Sequence, residues 1–238
     1  MRLRDDTGRV WDFLREHPAL SGFILVGGTA LALHIEHRTS EDLDFAFVAL
    51  RLPRARIDAL RRSASERQLP FSSDDPPEAI QDFEIAGMDL NDYQQNYLVD
   101  GTVKVTFFAP DDEVRRHLGP SEERGPRLAT LDEIFAMKCL VCADRSKTRD
   151  WFDLYVLMRE HGYDAVRFVD VFEISEVPAK AEIALGRLCS GRPNALDEGF
   201  DSLLPRPPSV KKMADFFAEV RDDVRAETAR RRASRARG

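Results

Sequence analysis

The chain has 238 residues, of which 43% are hydrophobic and 32% charged, a composition typical of a globular protein with one large domain or two small ones. It has no apolar run near the about 20 residues of a membrane span and no apolar stretch at its start typical of a signal peptide. Its three cysteines are too few for a disulfide framework. We therefore expect a cytoplasmic protein with no membrane partner.

Charge is unevenly distributed along the chain. The net charge is −7, whereas residues 225–238 hold six arginines and one glutamate. An acidic protein is an unusual partner for nucleic acid, but a basic segment can hold a polyanion locally. We expect the last ten residues, 229–238, to be frayed and flexible.

The first half of the chain is predicted to mix helices and strands. Short apolar runs and alternation indicate strands, apolar residues three or four apart indicate helices, and Gly and Pro mark turns. In chain order the predicted elements are a helix over 10–17, a buried strand over 23–26, a helix over 30–35 capped by Thr29, a strand over 42–48, a helix over 54–68, a loop over 72–78 and a hairpin over 97–108 that turns at Asp100-Gly101.

A polar segment over 110–127 separates this half from the second. It contains three prolines and two glycines, and we place the domain boundary at its end, giving domains 1–127 and 128–238. The second domain is predicted to be helical, with a helix after the capping pair Thr130 and Glu133 and further helices over 149–160, 164–175, 179–189 and 209–230. The predicted fold class is α+β, with the helical domain following the sheet.

Two aspartates fall on one face of the strand predicted over 42–48. Because side chains alternate along a strand, Leu43 and Phe45 face the core. Asp42 and Asp44 share the other face, about 7 Å apart. Unpaired carboxylates repel each other, and a divalent cation removes that cost. Both residues are therefore candidate ligands of Mg²⁺ or Mn²⁺ in phosphoryl or nucleotidyl transfer. The alternative is two exposed aspartates at a sheet edge.

The glycine turn one helix earlier supplies a candidate phosphate site. Gly27 and Gly28 let the backbone approach a phosphate closely, and the helix that starts after Thr29 presents N–H groups to an anion. Arg38 can neutralise phosphate charge, and Ser40 can donate a hydroxyl to it. These five are the candidate nucleotide-binding residues. The alternative is a solvated loop whose arginine pairs with a neighbouring glutamate.

Two blocks of sequence carry a family resemblance. The first is the run GGTALAL from Gly27, followed by HRTSEDLDF from His37. The second is DEIFAMK, which ends at Lys138, followed by Arg145, Arg149-Asp150 and Asp153-Leu154-Tyr155. Over about residues 20–160 their order and spacing resemble the motifs of the AbiEii/AbiGii toxin family of nucleotidyltransferases.

The resemblance implies a fold similar to DNA polymerase β-like transferases, with a mixed sheet and a nucleoside triphosphate as substrate. Better-known members are toxins of toxin–antitoxin or phage-exclusion pairs, and some modify the acceptor end of tRNA. A tRNA acceptor and a separately encoded antitoxin protein are therefore expected partners. One departure concerns the strand predicted around 102–108, where many such transferases carry a third carboxylate and this chain has no acid.

Charged residues on apolar helix faces form a second candidate catalytic group. Lys138 lies in the middle of the apolar face of its predicted helix. Asp150 shares a helix face with leucines, and Asp153 lies near the edge of that face. Because a buried ammonium needs an anion, we expect Asp150 to form an ion pair with Lys138. We expect Lys138 to face the triphosphate. Asp150 or Asp153 would then orient the lysine or accept the proton of the acceptor. The alternatives are a structural ion pair and a lysine that snorkels to solvent.

Two other functions fit the same residues. Transfer of a nucleotide to a small molecule, as in antibiotic-modifying enzymes, suits the acidic net charge if the acceptor is cationic. The missing third carboxylate is compatible with a nucleotide-binding module that has lost catalysis. Transfer of a nucleotide to RNA by a toxin is the leading hypothesis.

Overall fold

The computed structural model describes residues 3–121 and 124–235, which form two compact units. Unit 1 consists of Met1–Asp111 and Leu118–Leu131, and unit 2 consists of Asp112–His117 and Asp132–Gly238. The polar segment that follows the first half of the chain therefore contributes residues to both units.

Unit 1 is built on a six-stranded sheet. Its strands are β1 Phe23–Val26, β2 Leu43–Phe47, β3 Phe71–Ser73, β4 Gln94–Val99, β5 Val103–Phe108 and β6 Arg127–Leu128. Their order across the sheet is β3-β4-β5-β2-β1-β6. The pairs β2–β5 and β1–β6 are parallel, and the pairs β1–β2, β3–β4 and β4–β5 are antiparallel. The mixed sheet predicted for the first half of the chain is confirmed.

Four helices accompany the sheet within the described part of unit 1: α1 Asp5–Leu14, α2 Gly27–Ile35, α3 Arg54–Glu66 and α4 Pro77–Ile85. Helix α2 packs against β1 and β2, and α1 packs against β5. All four residues of β1 are buried. This explains why β1 reads in the sequence as a continuous apolar run rather than an alternating one.

Aromatic residues of the central strands form the core on one face of the sheet. The ring centroid of Phe107 lies 5.5 Å from that of Phe45 and 5.6 Å from that of Phe23. Trp11 of α1 stacks on Phe45 with a centroid distance of 6.4 Å. All four side chains are buried. Because Phe45 faces this core, Asp44 next to it in β2 faces the opposite side of the sheet.

Strands β4 and β5 form the hairpin that the sequence predicts. Asp100 and Gly101 at its tip have φ angles of 50° and 68°. Two successive positive φ angles are typical of the type I′ turn, whose twist matches that of the paired strands. The hairpin prediction is confirmed, and the strand before the turn begins at Gln94, earlier than predicted.

Two local predictions differ from the structure. The first helix begins at Asp5 rather than at residue 10. Residues 72–78, predicted as a loop, include the end of β3 and the start of α4. The helix there begins at Pro77, since a proline at the first position loses no hydrogen bond.

The described part of unit 2 is helical. Its helices are α5 Asp112–Arg115, α6 Leu131–Asp144, α7 Thr148–Glu160, α8 Ala165–Ile174, α9 Lys180–Ser190 and α10 Val210–Arg235. Helix α10 packs against α7, α8 and α9. The helices predicted for the second half of the chain are thus present. Among the described residues no helix is both long and apolar enough to cross a membrane.

The arginine-rich end continues α10 as far as Arg235, where the sequence predicts a frayed segment from residue 229. Arg231 Nη1 lies 2.7 Å from Asp170 Oδ1 and 3.1 Å from Glu173 Oε2, both on α8. These ion pairs and the buried Val224 hold the last turns of α10 on the unit. Residues 236–238 lie outside the described part of the chain.

A substitution in the hairpin turn tests its geometry. Gly101→Ala is expected to lower the free energy of unfolding by about 1 kcal/mol, because an L side chain pays that cost in the left-handed conformation. A Cβ at residue 101 would meet no heavy atom within 4 Å, so no steric cost is added. The matched control is Gly8→Ala inside α1, which is equally unobstructed and should raise stability by about 0.5–1 kcal/mol. Urea unfolding followed by circular dichroism measures both, and shifts of the same sign would contradict the turn geometry.

Candidate active site

The carboxylate-bearing strand lies in the middle of the sheet. Asp44 of β2 pairs with Val26 of β1 on one side and with Thr106 of β5 on the other. Asp42 immediately precedes the strand, and both aspartates are half-buried. Burial alternates over Leu43, Asp44 and Phe45 as predicted, whereas Ala46 is buried and Phe47 is half-buried. Asp44 lies on the sheet face opposite the aromatic core.

The Asp44 carboxylate lies against the first residue of α2. Gly27 has a φ of +71°, which favours glycine. A Cβ at this position would lie 2.8 Å from Asp44 Oδ2. Two features therefore require glycine at residue 27: its positive φ angle and the space that the Asp44 carboxylate occupies.

Gly28 makes room for Arg38. A Cβ at residue 28 would overlap Nη2 of Arg38 and lie 3.2 Å from its Cζ. The arginine side chain is only 4% exposed, and its Nη1 donates a hydrogen bond of 3.1 Å to the Thr39 carbonyl. The structure thus brings a guanidinium group onto the N-terminal turn of α2, next to the strand that carries Asp44.

Thr29 ties α2 to the loop before β2 and does not cap the helix as predicted. The helix begins at Gly27, and Thr29 lies in its first turn. Thr29 Oγ1 hydrogen bonds to the Asp42 carbonyl and lies 2.7 Å from Ser40 Oγ. A hydroxyl has one proton and a carbonyl only accepts. Thr29 therefore donates to Asp42, and Ser40 donates to Thr29.

The seven residues singled out in this half of the sequence converge on one place: Gly27, Gly28, Thr29, Arg38, Ser40, Asp42 and Asp44. The N-terminus of α2 has no side-chain cap among the described residues, since its N-cap is Val26. An uncapped helix N-terminus carries partial positive charge and favours anions. Chemically, the arrangement combines an anion site with two carboxylates. The assignment of individual ligands stays a prediction.

A row of polar side chains that the sequence reasoning missed extends across the sheet from Asp44. Thr106 of β5 donates a hydrogen bond of 3.2 Å to Asn96 Oδ1 of β4. Asn96 Nδ2 in turn donates to Asp75 Oδ1 at 2.8 Å. The polar alternation of the hairpin strands is the sequence signal for Thr106 and Asn96, whereas Asp75 comes from a segment predicted as a loop. Within the described ranges no three His, Cys, Asp or Glu side chains are close enough to hold one metal ion.

Unit 2 contains a buried ion cluster around Lys138 of α6. Its Nζ lies 2.7 Å from Asp150 Oδ1 and 2.7 Å from Asp153 Oδ2, both on α7. The three residues are 7%, 2% and 0% exposed. Lys138 therefore does not snorkel to solvent, and the expected contact with Asp150 is present. Asp153, expected at the edge of the helix face, is an equal partner, because residues three apart on a helix share a face.

Opposing effects act on the Asp150 carboxyl. Burial raises its pKa, but Lys138 and Arg145 outweigh burial, so the pKa lies below its usual range. Arg145 Nε donates a hydrogen bond of 2.9 Å to Asp150 Oδ2. Asp150 therefore stays ionised at neutral pH. Its contribution to stability is present above the pKa of an unfolded Asp, about 3.9, and is lost as the pH falls through the lower folded value.

Solved structures share the fold of this chain. MenT4, described as nucleotidyltransferase toxin Rv2826c from Mycobacterium tuberculosis H37Rv, superposes with a TM-score of 0.54 at 14% identity, covering 92% of this chain and 85% of that one. JHP933 from Helicobacter pylori superposes with a TM-score of 0.50 at 17% identity, covering 98% and 99%. The fold is therefore that of the nucleotidyltransferases.

Sequence comparison identifies the family. The family described as nucleotidyl transferase AbiEii toxin, type IV toxin–antitoxin system, matches residues 12–234. An uncharacterised protein of Aquifex aeolicus (strain VF5), aq_aa25, is 29% identical over 142 residues, which are 60% of this chain and 60% of that protein. The chain belongs to the AbiEii family of nucleotidyltransferase toxins.

The ion cluster makes a prediction about stability. Lys138→Met is expected to lower the free energy of unfolding by about 3–5 kcal/mol, because it leaves two buried carboxylates without the ammonium between them. The loss of stability should shrink as the pH falls from about 7 to 5. In the variant, two carboxylates lie close together with no ammonium between them, which favours protonation of one of them, and that proton then replaces the ammonium. Urea unfolding at the two pH values measures both effects.

The matched control keeps the charges balanced. In the double variant Lys138→Met/Asp153→Asn, Asp150 retains its contact with Arg145, so part of the lost stability should return. A Lys138→Met protein as stable as the wild type at pH 7 would show that the cluster does not hold α6 and α7 together.

Proposed function

We propose that this protein transfers a nucleoside monophosphate from an NTP to RNA, with tRNA as the acceptor, and is the toxin of a pair whose antitoxin is a separate protein. The observation that carries the proposal is the position of the Asp44 carboxylate against Gly27, at an uncapped helix N-terminus that also holds Arg38. Binding of a triphosphate and its accompanying cation needs this combination of opposite charges within one small site.

The triphosphate would bind at the first turn of α2. Its backbone N–H groups and the helix dipole favour an anion there. Arg38, whose guanidinium group lies on Gly28, would add a full positive charge and planar donors. Thr29 and Ser40 would support the turn through their hydrogen bond. In the observed arrangement the Ser40 proton points to Thr29, so a direct contact of Ser40 with phosphate requires that hydroxyl to rotate.

Asp42 and Asp44 would hold Mg²⁺ or Mn²⁺. Two half-buried carboxylates are a donor set that fits a hard divalent cation. Such a cation, when bound, offsets charge on the transferred phosphate. The protein's own contribution is to fix Asp44 on a central strand, with Asp42 directly before it.

The ion cluster of unit 2 is the second part of the proposal. Lys138, Asp150 and Asp153 would contribute to transfer as one group, with the two carboxylates orienting the ammonium. The AbiEii match at residues 12–234 includes this cluster. Because Lys138→Met also unbalances the buried charges, the catalytic role is better tested with Asp153→Asn, which keeps the contact between Lys138 and Asp150. A folded Asp153→Asn protein with full activity would restrict the cluster to a structural role.

The main test is transfer of label by the whole chain. Wild-type protein is incubated with each α-labelled NTP in turn, Mg²⁺ and total RNA, and label is expected in RNA of tRNA size. Asp44→Asn should reduce transfer by about 100-fold or more, because it removes one charge from an electrostatic site while keeping the shape of the side chain. The control is Asp58→Asn on the exposed face of α3, which should leave transfer unchanged.

Each other outcome of this assay replaces part of the proposal. Label in a small cationic acceptor instead of RNA would establish the small-molecule transferase that the acidic net charge also suits. No label with any acceptor would leave a nucleotide-binding module. Full activity of Asp44→Asn would remove the metal-binding assignment from Asp42 and Asp44.

Nucleotide binding can be tested apart from transfer. Gly28→Val is expected to weaken binding of a non-hydrolysable NTP analogue by about tenfold, the size of one charge-assisted hydrogen bond, because the new side chain displaces the Arg38 guanidinium group. Isothermal titration calorimetry measures the affinity. The control is Gly186→Val in the exposed part of α9, where a Cβ meets nothing within 4 Å. An unchanged affinity in a folded Gly28→Val protein would make this glycine a packing residue only.

A further inference from the structure

Thr106 occupies the position beside Asp44 on the neighbouring strand. The two residues are register partners in the parallel pair of β2 and β5, so their side chains lie on the same sheet face about 5 Å apart at the backbone. Asp44 Oδ2 lies against Gly27, on the β1 side of β2. Thr106 therefore flanks the carboxylate on its other side. This is the strand on which the sequence lacks a third carboxylate.

Hydrogen bonds from the sheet edge fix the orientation of the Thr106 hydroxyl. Asp75 Oδ1 accepts from both the backbone N and the Nδ2 of Asn96, each at 2.8 Å. Since a carboxylate accepts and Nδ2 donates, the amide of Asn96 has one orientation, and its Oδ1 is turned toward Thr106. Oδ1 accepts from Thr106 Oγ1 at 3.2 Å and from Gln94 Nε2 at 3.1 Å. At the other end of this row, Ser73 Oγ donates a hydrogen bond of 3.2 Å to Asp75 Oδ2.

The consequence is a hydroxyl with a defined polarity. The single proton of Thr106 is directed away from Asp44 and toward Asn96, so the oxygen presents lone pairs on the Asp44 side. A neutral oxygen with its lone pairs so directed has the properties of a ligand for a hard cation. Threonine and serine hydroxyls serve as Mg²⁺ ligands in P-loop enzymes.

We infer that Thr106 Oγ1 is the third protein oxygen of the cation site, on the β5 side of Asp44, and that Asn96 and Asp75 are positioning residues that hold its proton away from the cation. The inference rests on the proposed function, because it assumes that Asp42 and Asp44 hold a divalent cation. With a hydroxyl in place of a third carboxylate, the protein ligands carry two negative charges instead of three. The site therefore binds the cation more weakly and depends more on the substrate's own phosphates.

The experiment measures Mn²⁺ binding to the whole chain by water proton relaxation, with MnCl₂ as the only probe. Thr106→Val keeps the shape and strand preference of the side chain and should raise the Kd for Mn²⁺ by about tenfold. Thr106→Ser keeps the oxygen and should bind as the wild type does. Thr106→Asp restores a carboxylate and should bind more tightly than the wild type.

The positioning residues are tested by pairs of variants. Asp75→Leu removes the acceptor that orients Asn96 and should raise the Kd by a smaller factor than Thr106→Val does. Asp75→Asn can still accept both hydrogen bonds through its carbonyl oxygen and should bind Mn²⁺ as the wild type does. Equal weakening by Asp75→Asn and Asp75→Leu would overturn the positioning role, because it would mean that the charge of Asp75 acts directly.

Failure of this inference is distinguishable from failure of the proposed function. If Asp44→Asn abolishes Mn²⁺ binding and Thr106→Val leaves it unchanged, the cation site stands and Thr106 is not part of it. If Asp44→Asn also binds like the wild type, the carboxylate pair is not the cation site, and both proposals fail. A lower thermal midpoint of Thr106→Val with an unchanged Kd would assign the hydrogen-bonded row to hairpin stability alone and overturn the inference.

Discussion

Strand β2 carries part of the aromatic core on one face and the Asp44 carboxylate on the other, and the geometry of unit 1 depends on that division. Phe45 packs between Phe107 and Trp11, while Asp44, one residue earlier, faces the other side of the sheet. A slip of one residue in the pairing of β2 would exchange the two faces and bury Asp44 among aromatic rings. The contacts that fold the sheet therefore also fix the position of the Asp44 carboxylate. Gly27, which has no side chain, leaves the space that this carboxylate occupies.

Local patterns predicted most of the elements that form the site. The apolar run of β1, the alternation at the start of β2 and the Asp100-Gly101 turn each depend on neighbours in sequence, and all three are present in the structure. The spacing of apolar residues likewise predicted the helices of unit 2. The two glycines were expected to let a phosphate approach the backbone, and in the structure Asp44 lies against Gly27 and Arg38 against Gly28.

What the sequence did not predict depends on contacts between distant segments. The row from Thr106 through Asn96 to Asp75 exists because of the register of three strands, which no single segment encodes. Thr29 looked like a helix cap because its type suits that role, but the loop before β2 supplies better partners for its hydroxyl. Asp153 is fully buried and its Oδ2 lies 2.7 Å from Lys138 Nζ on α6, a contact that periodicity along one helix cannot show.

The end of α10 offers less free positive charge than its arginine content suggests. Arg231 is held by Asp170 and Glu173, and Arg225 lies 3.2 Å from Glu182 of α9. A polyanion that engaged these guanidinium groups would have to displace carboxylates that already dock the helix. An RNA chain at this surface would therefore compete with Asp170, Glu173 and Glu182 for these two arginines, while the buried Val224 would still hold the helix on the unit.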